Sequence, residues 1–384
     1  MKIAYKFRLL PTKSQHATLS QILEDQRQLY NAALQERIDC YKKTGKGRSY
    51  IDQCKAVTQW RQQDDVIATI PVNLQRYTLK QVDEAYKAFF RRLKTKKGKA
   101  GFPRFKGYGR FNSFGFAEFS GIQLKNNRLH FRGLPGSLRI HFHRELPCTK
   151  ILSCSFRKTT KGWYVSLNID VETEELREPV KRVGVDLGIS AFAAYSDGKV
   201  ISNPRITKRY ERELRKKQRA LARCKKSGNN RKKAKLKLAR LHTKIANTRD
   251  TFLHQVSASL VKQYDLIAIE KLNVKGLTKG FLSKEVHDVS WGTFCNYLKY
   301  KAEKAGVSLV VVNAKYTSQT CPSCGNVKAK TLSERIHHCE CGCLLDRDTA
   351  AAQVILNRAV VSPRKHNVTG CGKRAFRNTN QKEF

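Results

Sequence analysis

Five of the twelve cysteines in this 384-residue chain fall in one stretch, 321–352, which reads CPSCGNVKAKTLSERIHHCECGCLLDRDTAAA. The two-residue gap between Cys321 and Cys324 lets a single turn bring two thiolates onto a tetrahedral ion, at Zn–S distances of ~2.3 Å. Two acids, Asp346 and Asp348, follow the cysteines directly. Metal-ligand spacing beside carboxylates is unusual in a chain with so few acids. It predicts a zinc knuckle that presents the last acid of a nuclease site.

The second pair of zinc ligands must come from three closely spaced cysteines, Cys339, Cys341 and Cys343. One of them is spare, because a structural zinc site takes four ligands. We favour ligation by four sulfurs, with Cys343 or His338 as a substitute, and four sulfurs make the site structural rather than catalytic. The predicted zinc ligands are Cys321, Cys324, Cys339 and Cys341.

The charge balance is strongly basic, since 76 Lys and Arg stand against 31 Asp and Glu, a formal net charge of +45. Self-repulsion of that size opposes a compact fold unless a polyanion cancels it, and neutralising phosphates releases counterions, which predicts binding to nucleic acid. A ribosomal or histone-like role also fits the charge, but such proteins seldom need a hydrophobic content of 40%. An acidic membrane surface fits as well, yet no long amphipathic or apolar segment supports it.

Targeting segments are not evident in the sequence. No run approaches the ~20 apolar residues that a membrane span requires. The start, MKIAYKFRLLPTKSQ, interleaves charges with apolar residues and has no small-residue cleavage site, so it is not a signal peptide. The cysteines outside the cluster are scattered, which is typical of reduced thiols. We expect a cytoplasmic protein of a prokaryotic cell, associated with the nucleoid.

The first part of the chain predicts both strands and helices. Residues 3–9 alternate as in a strand, and Thr12 or Ser14 can cap an amphipathic helix. The apolar spacing between Leu79 and Leu93 predicts a second helix. Short strands are then predicted at 129–131, 138–142, 151–157 and 163–170.

Residues 94–116 differ from their surroundings, because basic residues, glycines and aromatic rings are mixed there. Exposed rings beside Arg and Lys can stack on bases while the cations hold phosphates, but the same phenylalanines could form the core of a β-rich subdomain. Both interpretations stay open, with contact to nucleic acid favoured for the basic residues. His141 and His143, two apart on a predicted strand, could bind a metal, although lone strand histidines are usually structural.

After the acidic stretch 172–178 the pattern becomes that of an α/β domain. Arg182–Asp186 reads as a buried strand that ends in an acid, and two turns carry the chain through a meander of β-hairpins. A second apolar strand, Asp265–Glu270, also ends in an acid. The later elements are a helix capped by Ser290, a buried strand at Val307–Val312 and a final helix at about 348–358. This order predicts a ribonuclease H-like α/β domain with insertions.

Residues 205–262 predict a long basic helical region that is interrupted at 227–230. The second arm places Leu241, Ile245 and Val256 on one stripe, and Lys and Arg fill the opposite face. An antiparallel helical hairpin fits best. A basic helix face is usually only solvated surface, but this one is dense enough to favour contact with phosphates.

Three acids, Asp186, Glu270 and Asp348, are the predicted catalytic residues. Each ends a strand or begins a helix, where uncompensated carboxylates are costly and metal ions would relieve their repulsion. Phosphodiester hydrolysis by two metals needs carboxylates around ions ~3.5–4 Å apart, and Mg²⁺ keeps several waters, so a few carboxylates suffice. We expect Asp186 to bridge two Mg²⁺ ions, with Glu270 and Asp348 completing one each. Asp346 could instead be the N-cap of the last helix, so it ranks below Asp348.

Taken together, these residues resemble the TnpB (OrfB) family, the transposon-encoded RNA-guided endonucleases related to the compact type V CRISPR effectors. The matching blocks cover nearly the whole chain and include YKFRLLPT, PRFKGYGRFNSFGF, GVDLG, IAIEKLNVKGL, YTSQTCPSCG and CECGCLLDRD. The resemblance implies a split RuvC-type nuclease domain whose triad falls on Asp186, Glu270 and Asp348. It also implies an N-terminal, β-barrel-like wedge domain with a helical recognition insert, which would hold the guide RNA and read a short target-adjacent DNA motif.

The implied partners are a guide RNA derived from the transposon end and double-stranded target DNA. The predicted divisions are a wedge-like domain at 1–178 with its helical insert at about 12–95, a first nuclease part at 179–318, the zinc insertion at 319–345, the last nuclease helix at 346–362 and a flexible basic tail at 363–384. Candidate nucleic-acid contacts are Lys6, Arg8, Arg104, Lys106, Arg110, Arg212, Arg215 and Arg219.

One position departs from the family pattern, because the last motif usually continues DRDxNAA and Ala350 here replaces the Asn. All three acids remain, so the resemblance implies an active enzyme. Two rival functions stay open. A cut-and-paste transposase with an Asp-Asp-Glu site would place its Glu last, whereas Glu270 lies mid-chain and Asp348 closes the set. A non-catalytic RNA-guided repressor would bind a matched target without cutting it.

Overall fold

The computed structural model describes residues 1–95, 100–147, 150–277, 280, 283–331 and 334–361. The predicted basic tail at 363–384 lies outside the described residues. Two compact units follow one another along the chain, Met1–Val171 and the part that begins at Glu172. Among the described helices, none combines the length and the apolar character that crossing a membrane requires.

The first unit contains a seven-stranded antiparallel sheet with strand order β2-β6-β7-β1-β5-β4-β3. Its strands are β1 (Lys2–Leu10), β2 (Ser113–Phe116), β3 (Ile122–Lys125), β4 (Arg128–Phe131), β5 (Leu138–His141), β6 (Ile151–Thr159) and β7 (Gly162–Asp170). β1 pairs with both β5 and β7. Its period of two buries Tyr5, Phe7 and Leu9 and leaves Lys6 and Arg8 exposed. The predicted early strand and the four predicted short strands are confirmed.

The described residues of this unit also form the helices α1 (Lys13–Thr44), α2 (Tyr50–Gln63), α3 (Asp65–Thr69) and α4 (Val72–Thr95). The cap of α1 is Thr12 rather than Ser14: Gln15 N donates to Thr12 Oγ1 at 3.2 Å, and Thr12 N donates to Gln15 Oε1 at 3.1 Å. The sequence analysis missed α2 and α3. The buried hydrophobic residues of α2 are only Ala56 and Val57, so its apolar signal is weak.

The aromatic rings of the segment 94–116 differ in burial along the chain: the later ones belong to the core, and for the earlier ones contact with nucleic acid stays a prediction. Phe114 and Phe116 are fully buried, and Phe114 stacks on Phe156 of β6 with ring centroids 5.0 Å apart. These rings are core. The earlier rings of the segment are exposed, namely Phe102, Phe105 and Tyr108.

The second unit is a mixed α/β arrangement. Its strands are β8 (Arg182–Leu187), β9 (Ala191–Tyr195), β10 (Val200–Ser202), β11 (Leu266–Glu270), β12 (Ser308–Val312), β13 (Ile336–His338) and β14 (Leu344–Asp346). Its helices are α5 (Ile206–Arg209), α6 (Glu211–Ala222), α7 (Asn229–Gln263), α8 (Val274–Leu277), α9 (Ser283–Val289), α10 (Trp291–Lys304) and α11 (Arg347–Val361). The main sheet has the order β10-β9-β8-β11-β12, in which β8, β11 and β12 are parallel. The predicted meander, the strand that ends at Glu270 and the final helix are confirmed.

α11 lies directly against β8 at Gly184. A Cβ atom on Gly184 would come within 2.0 Å of the Ala352 carbonyl oxygen and 2.8 Å of the Leu356 nitrogen, so a larger residue would displace the helix. Small buried residues at the start of α11, Ala350 among them, allow the same close approach. The helix therefore has a defined depth over the sheet, and that depth fixes where its first turn lies.

The basic helical region is an antiparallel hairpin of α6 and α7, as predicted, with its turn at 223–228 instead of 227–230. Leu241 and Ile245 pack with Ile206 in a small core of their own. The basic side chains of α6 lie on the outer face, where Arg212, Arg215 and Arg219 are exposed.

Three local predictions are wrong. Ser290 does not cap α10 through its side chain, because it adopts a left-handed φ of 53° and its hydroxyl donates to the His287 carbonyl oxygen at 2.9 Å. The strand predicted at Val307–Val312 is not fully buried, since β12 is the edge of the sheet and Val311 is 47% exposed. His143 lies beyond the end of β5 and not on a strand.

Candidate active site and metal-binding cluster

Two of the predicted acids lie side by side at one edge of the main sheet of the second unit. Asp186 is near the end of β8, and Glu270 is the last residue of β11. These strands are parallel neighbours, and the last pair in register, Val185 with Ile269, directly precedes both acids. The carboxyl ends of parallel strands meet at the same edge, so period and register alone bring the two side chains together.

The third acid, Asp348, is the second residue of α11. The packing of α11 on β8 brings it close enough for its charge to act on Asp186. Burial, followed by the charges of Glu270 and Asp348 and a hydrogen bond shared with Glu270, raises the pKa of Asp186 to about 8. Burial also raises the pKa of Glu270. The site therefore holds more negative charge than the surrounding protein compensates.

The three carboxylates are spread more widely than the donors of one ion. Within the described part of the chain, two groups of Cys, His, Asp or Glu bring three or more ligand atoms within 4.8 Å of one another, and both are built on cysteines. A single compact cage of the three acids is therefore not what the structure shows. Two ions ~3.5–4 Å apart do not require such a cage, because donors to different ions need not touch.

Sequence reasoning missed a residue that holds Glu270. Thr317 is buried, and its hydroxyl donates to Glu270 Oε2 at 3.1 Å. The loop that precedes Thr317 is held by Arg358 of α11. The Arg358 guanidinium donates to the carbonyl oxygens of Asn313 at 2.9 Å and Lys315 at 2.8 Å. Thr317 lies in the YTSQT block just before the first cysteine, but nothing in its local sequence indicates a partner so far back in the chain.

The two acids of the Asp-Arg-Asp sequence have different surroundings. Asp346 caps α11, because its Oδ1 accepts from the backbone N–H groups of Asp348 at 2.9 Å and Thr349 at 3.2 Å. Asp348 has a long contact of 3.5 Å with the Arg347 guanidinium. The alternative that Asp346 is an N-cap is confirmed, and Asp348 is the one of the two acids whose charge raises the pKa of Asp186.

Four cysteines form a cluster of sulfurs, all within 4.8 Å of one another: Cys321, Cys324, Cys339 and Cys341. The Sγ atoms of Cys321 and Cys341 are 3.6 Å apart, and those of Cys324 and Cys339 are 3.5 Å apart. A disulfide would require about 2.05 Å. Four sulfurs at ~2.3 Å from a tetrahedral zinc ion lie about 3.8 Å from one another, close to these separations. The cluster could therefore hold a metal such as zinc.

Two glycine turns shape this cluster. Gly325 and Gly342 have φ angles of 77° and 84°, and each N–H donates at 3.0 Å to the carbonyl oxygen of the cysteine that begins its turn. Burial opposes ionisation of Cys321, but hydrogen bonds to its sulfur from the backbone N–H of Cys324 and from His337 lower its pKa to about 5. A thiolate is the form that ligates metal.

A second group of ligand atoms shares one sulfur with the first, and consists of Cys321, His337 and Cys343. Cys343 thus stays a possible substitute ligand. His338 does not, because it is exposed and belongs to neither group, and the imidazole near the sulfurs is that of the buried His337. Strand alternation explains the difference, since neighbouring residues of β13 face opposite sides.

The predicted nucleic-acid contacts are mostly solvent-facing, and Lys106 is half-buried. Lys6 lies 4.9 Å from the centre of the Tyr164 ring, and Arg215 pairs with Glu211 at 3.1 Å. These positions leave the cationic groups accessible. Their contacts with nucleic acid stay a prediction.

Comparison with protein-family models gives three matches. Residues 166–280 match an OrfB family described as "Probable transposase", residues 291–355 match a Cas12f1-like TNB domain, and residues 1–46 match a helix-turn-helix domain of the OrfB family. In this chain residues 1–46 contain the strand β1 followed by one continuous helix, α1.

Several known sequences and solved structures are similar over nearly the whole chain. A Streptomyces pristinaespiralis protein named "Putative RNA-guided DNA endonuclease" is 32% identical, over 93% of this chain and 89% of its own length. Escherichia coli K12 InsQ, of the same description, is 27% identical over 96% and 94%. A Cas12f1 solved in complex with sgRNA and target DNA shares the fold, with a TM-score of 0.57 and 13% identity over 91% of this chain and 83% of that one. The chain belongs to the TnpB (OrfB) family of RNA-guided DNA endonucleases and their relatives.

Proposed function

We propose that this chain is an RNA-guided DNA endonuclease that hydrolyses phosphodiester bonds in a RuvC-like site. The observation that carries the proposal is the convergence of Asp186, Glu270 and Asp348 from two parallel strands and a helix. Isolated buried acids could be structural, but here the charges of Glu270 and Asp348 add to burial in raising the pKa of Asp186, and carboxyl groups perturbed in this way are typical of functional sites.

The expected partners are a guide RNA and a target DNA. Relatives over 90% of the chain carry names that describe RNA-guided DNA endonucleases, and a protein of the same fold was solved with both nucleic acids. The net charge of +45 supplies the attraction that such a complex needs. Base pairing with the guide would provide sequence specificity, and we assign the reading of a short adjacent DNA motif to the N-terminal part of the chain.

The acids suit Mg²⁺, because carboxylate oxygens are the ligands that this hard cation prefers. Burial and the charges of Glu270 and Asp348 raise the pKa of Asp186, so its charged form is disfavoured, and bound divalent cations would favour that form. Asp186, Glu270 and Asp348 are the residues that would hold these ions. When bound, such ions activate a water and stabilise the departing oxygen of the phosphodiester.

The protein's own contribution is positioning. Strand register fixes Asp186 beside Glu270, and Gly184 sets the depth of the helix that carries Asp348. Thr317 orients the Glu270 carboxylate by donating to one of its oxygens. These contacts hold the acids before substrate arrives, so little reorganisation is required at the moment of reaction.

We assign a structural zinc ion to the four-cysteine cluster. Four thiolates leave no open coordination position, so a catalytic role is unsuited to it. Its place in the chain, between β12 and α11, makes it an insertion in the nuclease fold. The hairpin of β13 and β14 leads directly into the capped first turn of α11.

The decisive experiment measures cleavage. The purified protein with its own guide RNA is given a matched DNA target in Mg²⁺, and Asp186→Asn is compared with Asp197→Asn, which changes an acid in a surface turn of the same unit. We expect the first variant to lose cleavage by about a thousandfold or more and the second to cut like wild type.

Other outcomes separate the rival functions. Equal cutting by wild type and Asp186→Asn would show that the assigned site is wrong. Guide-dependent binding without any cutting by wild type would instead support an RNA-guided repressor. Exchanging residues 1–175 with those of a relative of different motif preference should transfer that preference, and an unchanged preference would refute the assignment to the N-terminal part.

A further inference from the structure

The first unit carries aromatic rings that are held partly exposed in one cluster. Phe90 at the end of α4 is 53% exposed, and Phe102 in the next segment is 47% exposed. Both rings pack against Phe89, with centroids 5.2 and 5.3 Å apart, and Phe102 lies edge-on to Tyr86 at 5.6 Å. Tyr86 in turn packs against the core of the unit. We name these four residues, Tyr86, Phe89, Phe90 and Phe102, the ring platform.

Hydrogen bonds anchor the chain on both sides of Phe102, at Gly101 and at Lys106. The Arg92 guanidinium donates to the Gly101 carbonyl oxygen at 3.2 Å. Further on, Lys106 N donates to Asn31 Oδ1 at 2.8 Å, and Asn31 Nδ2 donates back to the Lys106 carbonyl oxygen at 3.0 Å. Large rings that are exposed usually belong to loosely held chain or to a binding surface. Residues 101–106 are anchored to α4 and α1, so we interpret the exposed rings as a binding surface.

The charge around the platform identifies what it can bind. Residues 85–117 contain ten Lys and Arg and no Asp or Glu. A second copy of this surface would be repelled, and protein interfaces are depleted in Lys. Exposed rings beside dense cations are instead the combination that binds single-stranded nucleic acid, because bases stack on rings while cations hold the phosphates. A duplex offers phosphates but no free base faces.

We propose that the ring platform stacks on unpaired bases of a single-stranded nucleic acid, with Arg92 and Arg104 holding its phosphates. Both arginines are exposed, and each follows an exposed ring by two residues, Arg92 after Phe90 and Arg104 after Phe102. The proposal rests on the proposed function, in which guide RNA and opened target DNA both expose unpaired bases. It adds where on this chain such bases would lie.

The test uses the full-length protein, freed of copurified nucleic acid in high salt. The probes are a 12-nucleotide DNA strand and its RNA equivalent, each with a central 2-aminopurine, and a DNA duplex of the same sequence. We expect the double change Phe90→Leu with Phe102→Leu to weaken strand binding about tenfold or more and to abolish quenching of the 2-aminopurine. Duplex binding and the salt dependence should stay unchanged, because no cation is removed.

Three controls isolate the rings. Changing both residues to Tyr keeps the aromatic faces and should keep binding and quenching. Arg92→Gln with Arg104→Gln should instead reduce the salt slope by about 1.4, at ~0.7 for each phosphate contact on a single strand. Trp60→Leu removes a ring of α2 that is 43% exposed and outside the platform, and it should bind like wild type.

Several results would overturn the proposal. The Leu variant could bind and quench like wild type, it could weaken strand and duplex equally, or it could split an oligomer that wild type forms, which would make the platform a contact between copies. A larger loss with RNA would assign the platform to the guide, and a larger loss with DNA to the target strand, and both support it. If wild type bound none of the probes, the proposed function itself would fail.

Discussion

The cysteine cluster and the acid site of the second unit are assembled in opposite ways. All four clustered cysteines come from one span, 321–341, and two glycine turns bring them together. The acids come from β8, β11 and α11, and their meeting depends on strand order, on register and on how deeply a helix sits over the sheet. In a local motif, the spacing of the residues along the chain predicts how they are arranged in space. A distributed site does not, because its distances are set by everything packed between its parts.

The two sites are also connected in one direction. β14 ends at Asp346, and Asp346 caps the helix that carries Asp348. We therefore expect damage to the cysteine cluster to reach the acids, and damage to the acids to leave the cluster intact. Four sets of changes test this asymmetry.

The largest effect is expected from Cys324→Ser. Removing one of four thiolates should release the metal and unfold the knuckle, since binding of structural zinc supplies roughly 10–16 kcal/mol of folding free energy in small zinc domains. Metal analysis of the purified protein should fall from one zinc to near none, and cleavage should fall with it. Cys343→Ser is the matched control and should retain zinc. The reverse result would assign the metal to the group of Cys321, His337 and Cys343.

Gly184→Ala should disturb the acids without touching the cysteines. The added methyl group would meet the backbone of α11, at a cost of roughly 3 kcal/mol in the free energy of unfolding, with a loss of cleavage as Asp348 moves. Denaturant unfolding measures the first effect. Gly292→Ala in α10 is the control, because its Cβ would meet no atom within 4 Å and Ala favours a helix by ~1 kcal/mol. Equal stability of the two variants would contradict the packing argument.

The neighbouring acids Asp346 and Asp348 should respond differently. Asp346→Ala removes the cap of α11 and should cost about 1 kcal/mol in the free energy of unfolding, with part of the cleavage retained. Asp348→Ala should abolish cleavage at no cost in stability, because it removes one of three crowded negative charges. Both variants should keep zinc. If Asp346→Ala were the inactive variant and Asp348→Ala the active one, the assignment of the closing acid would be reversed.

Thr317→Val should have the smallest effect. The hydroxyl that donates to Glu270 is lost while the shape of the side chain is nearly kept, so cleavage should fall about tenfold, the equivalent of ~1.4 kcal/mol. Thr317→Ser keeps the donor and should restore most of the rate. Single-turnover cleavage at saturating Mg²⁺ measures both. Equal losses in Val and Ser variants would show that the methyl group, not the hydroxyl, is what matters.

The candidate site was predictable to different depths. The cysteine ligands, the identity of the acids and the alternative role of Asp346 followed from spacing and from the ends of apolar strands. Thr317, Gly184 and the exchange of His338 for His337 did not, because each is defined by a contact with a residue distant in the chain. The prediction that Ser290 caps α10 was wrong for a related reason. A serine side chain suits an N-cap, but the turn that precedes α10 gives Ser290 a left-handed backbone conformation.

The fold shows the same division. Elements with a clear apolar pattern, such as β1, α4 and β11, were predicted from the sequence, whereas α2 was not, because it buries few hydrophobic residues. The burial of β12 was overestimated, because a run of apolar residues has the same sequence pattern in a central strand as in an edge strand. The segment 94–116 mixes core rings with exposed rings, and only packing separates them.

By itself, the sequence determined a basic charge suited to nucleic acid, a group of cysteines with metal-ligand spacing and acids at the ends of apolar strands, because charge, spacing and periodicity are local properties of the chain. The tertiary structure decided which acids meet, which hydroxyl holds one of them, and which rings of the first unit stay exposed. The meeting of the acids depends on the register of β8 with β11 and on the contact of α11 with Gly184. Such contacts join residues whose sequence separation carries no signal of their proximity.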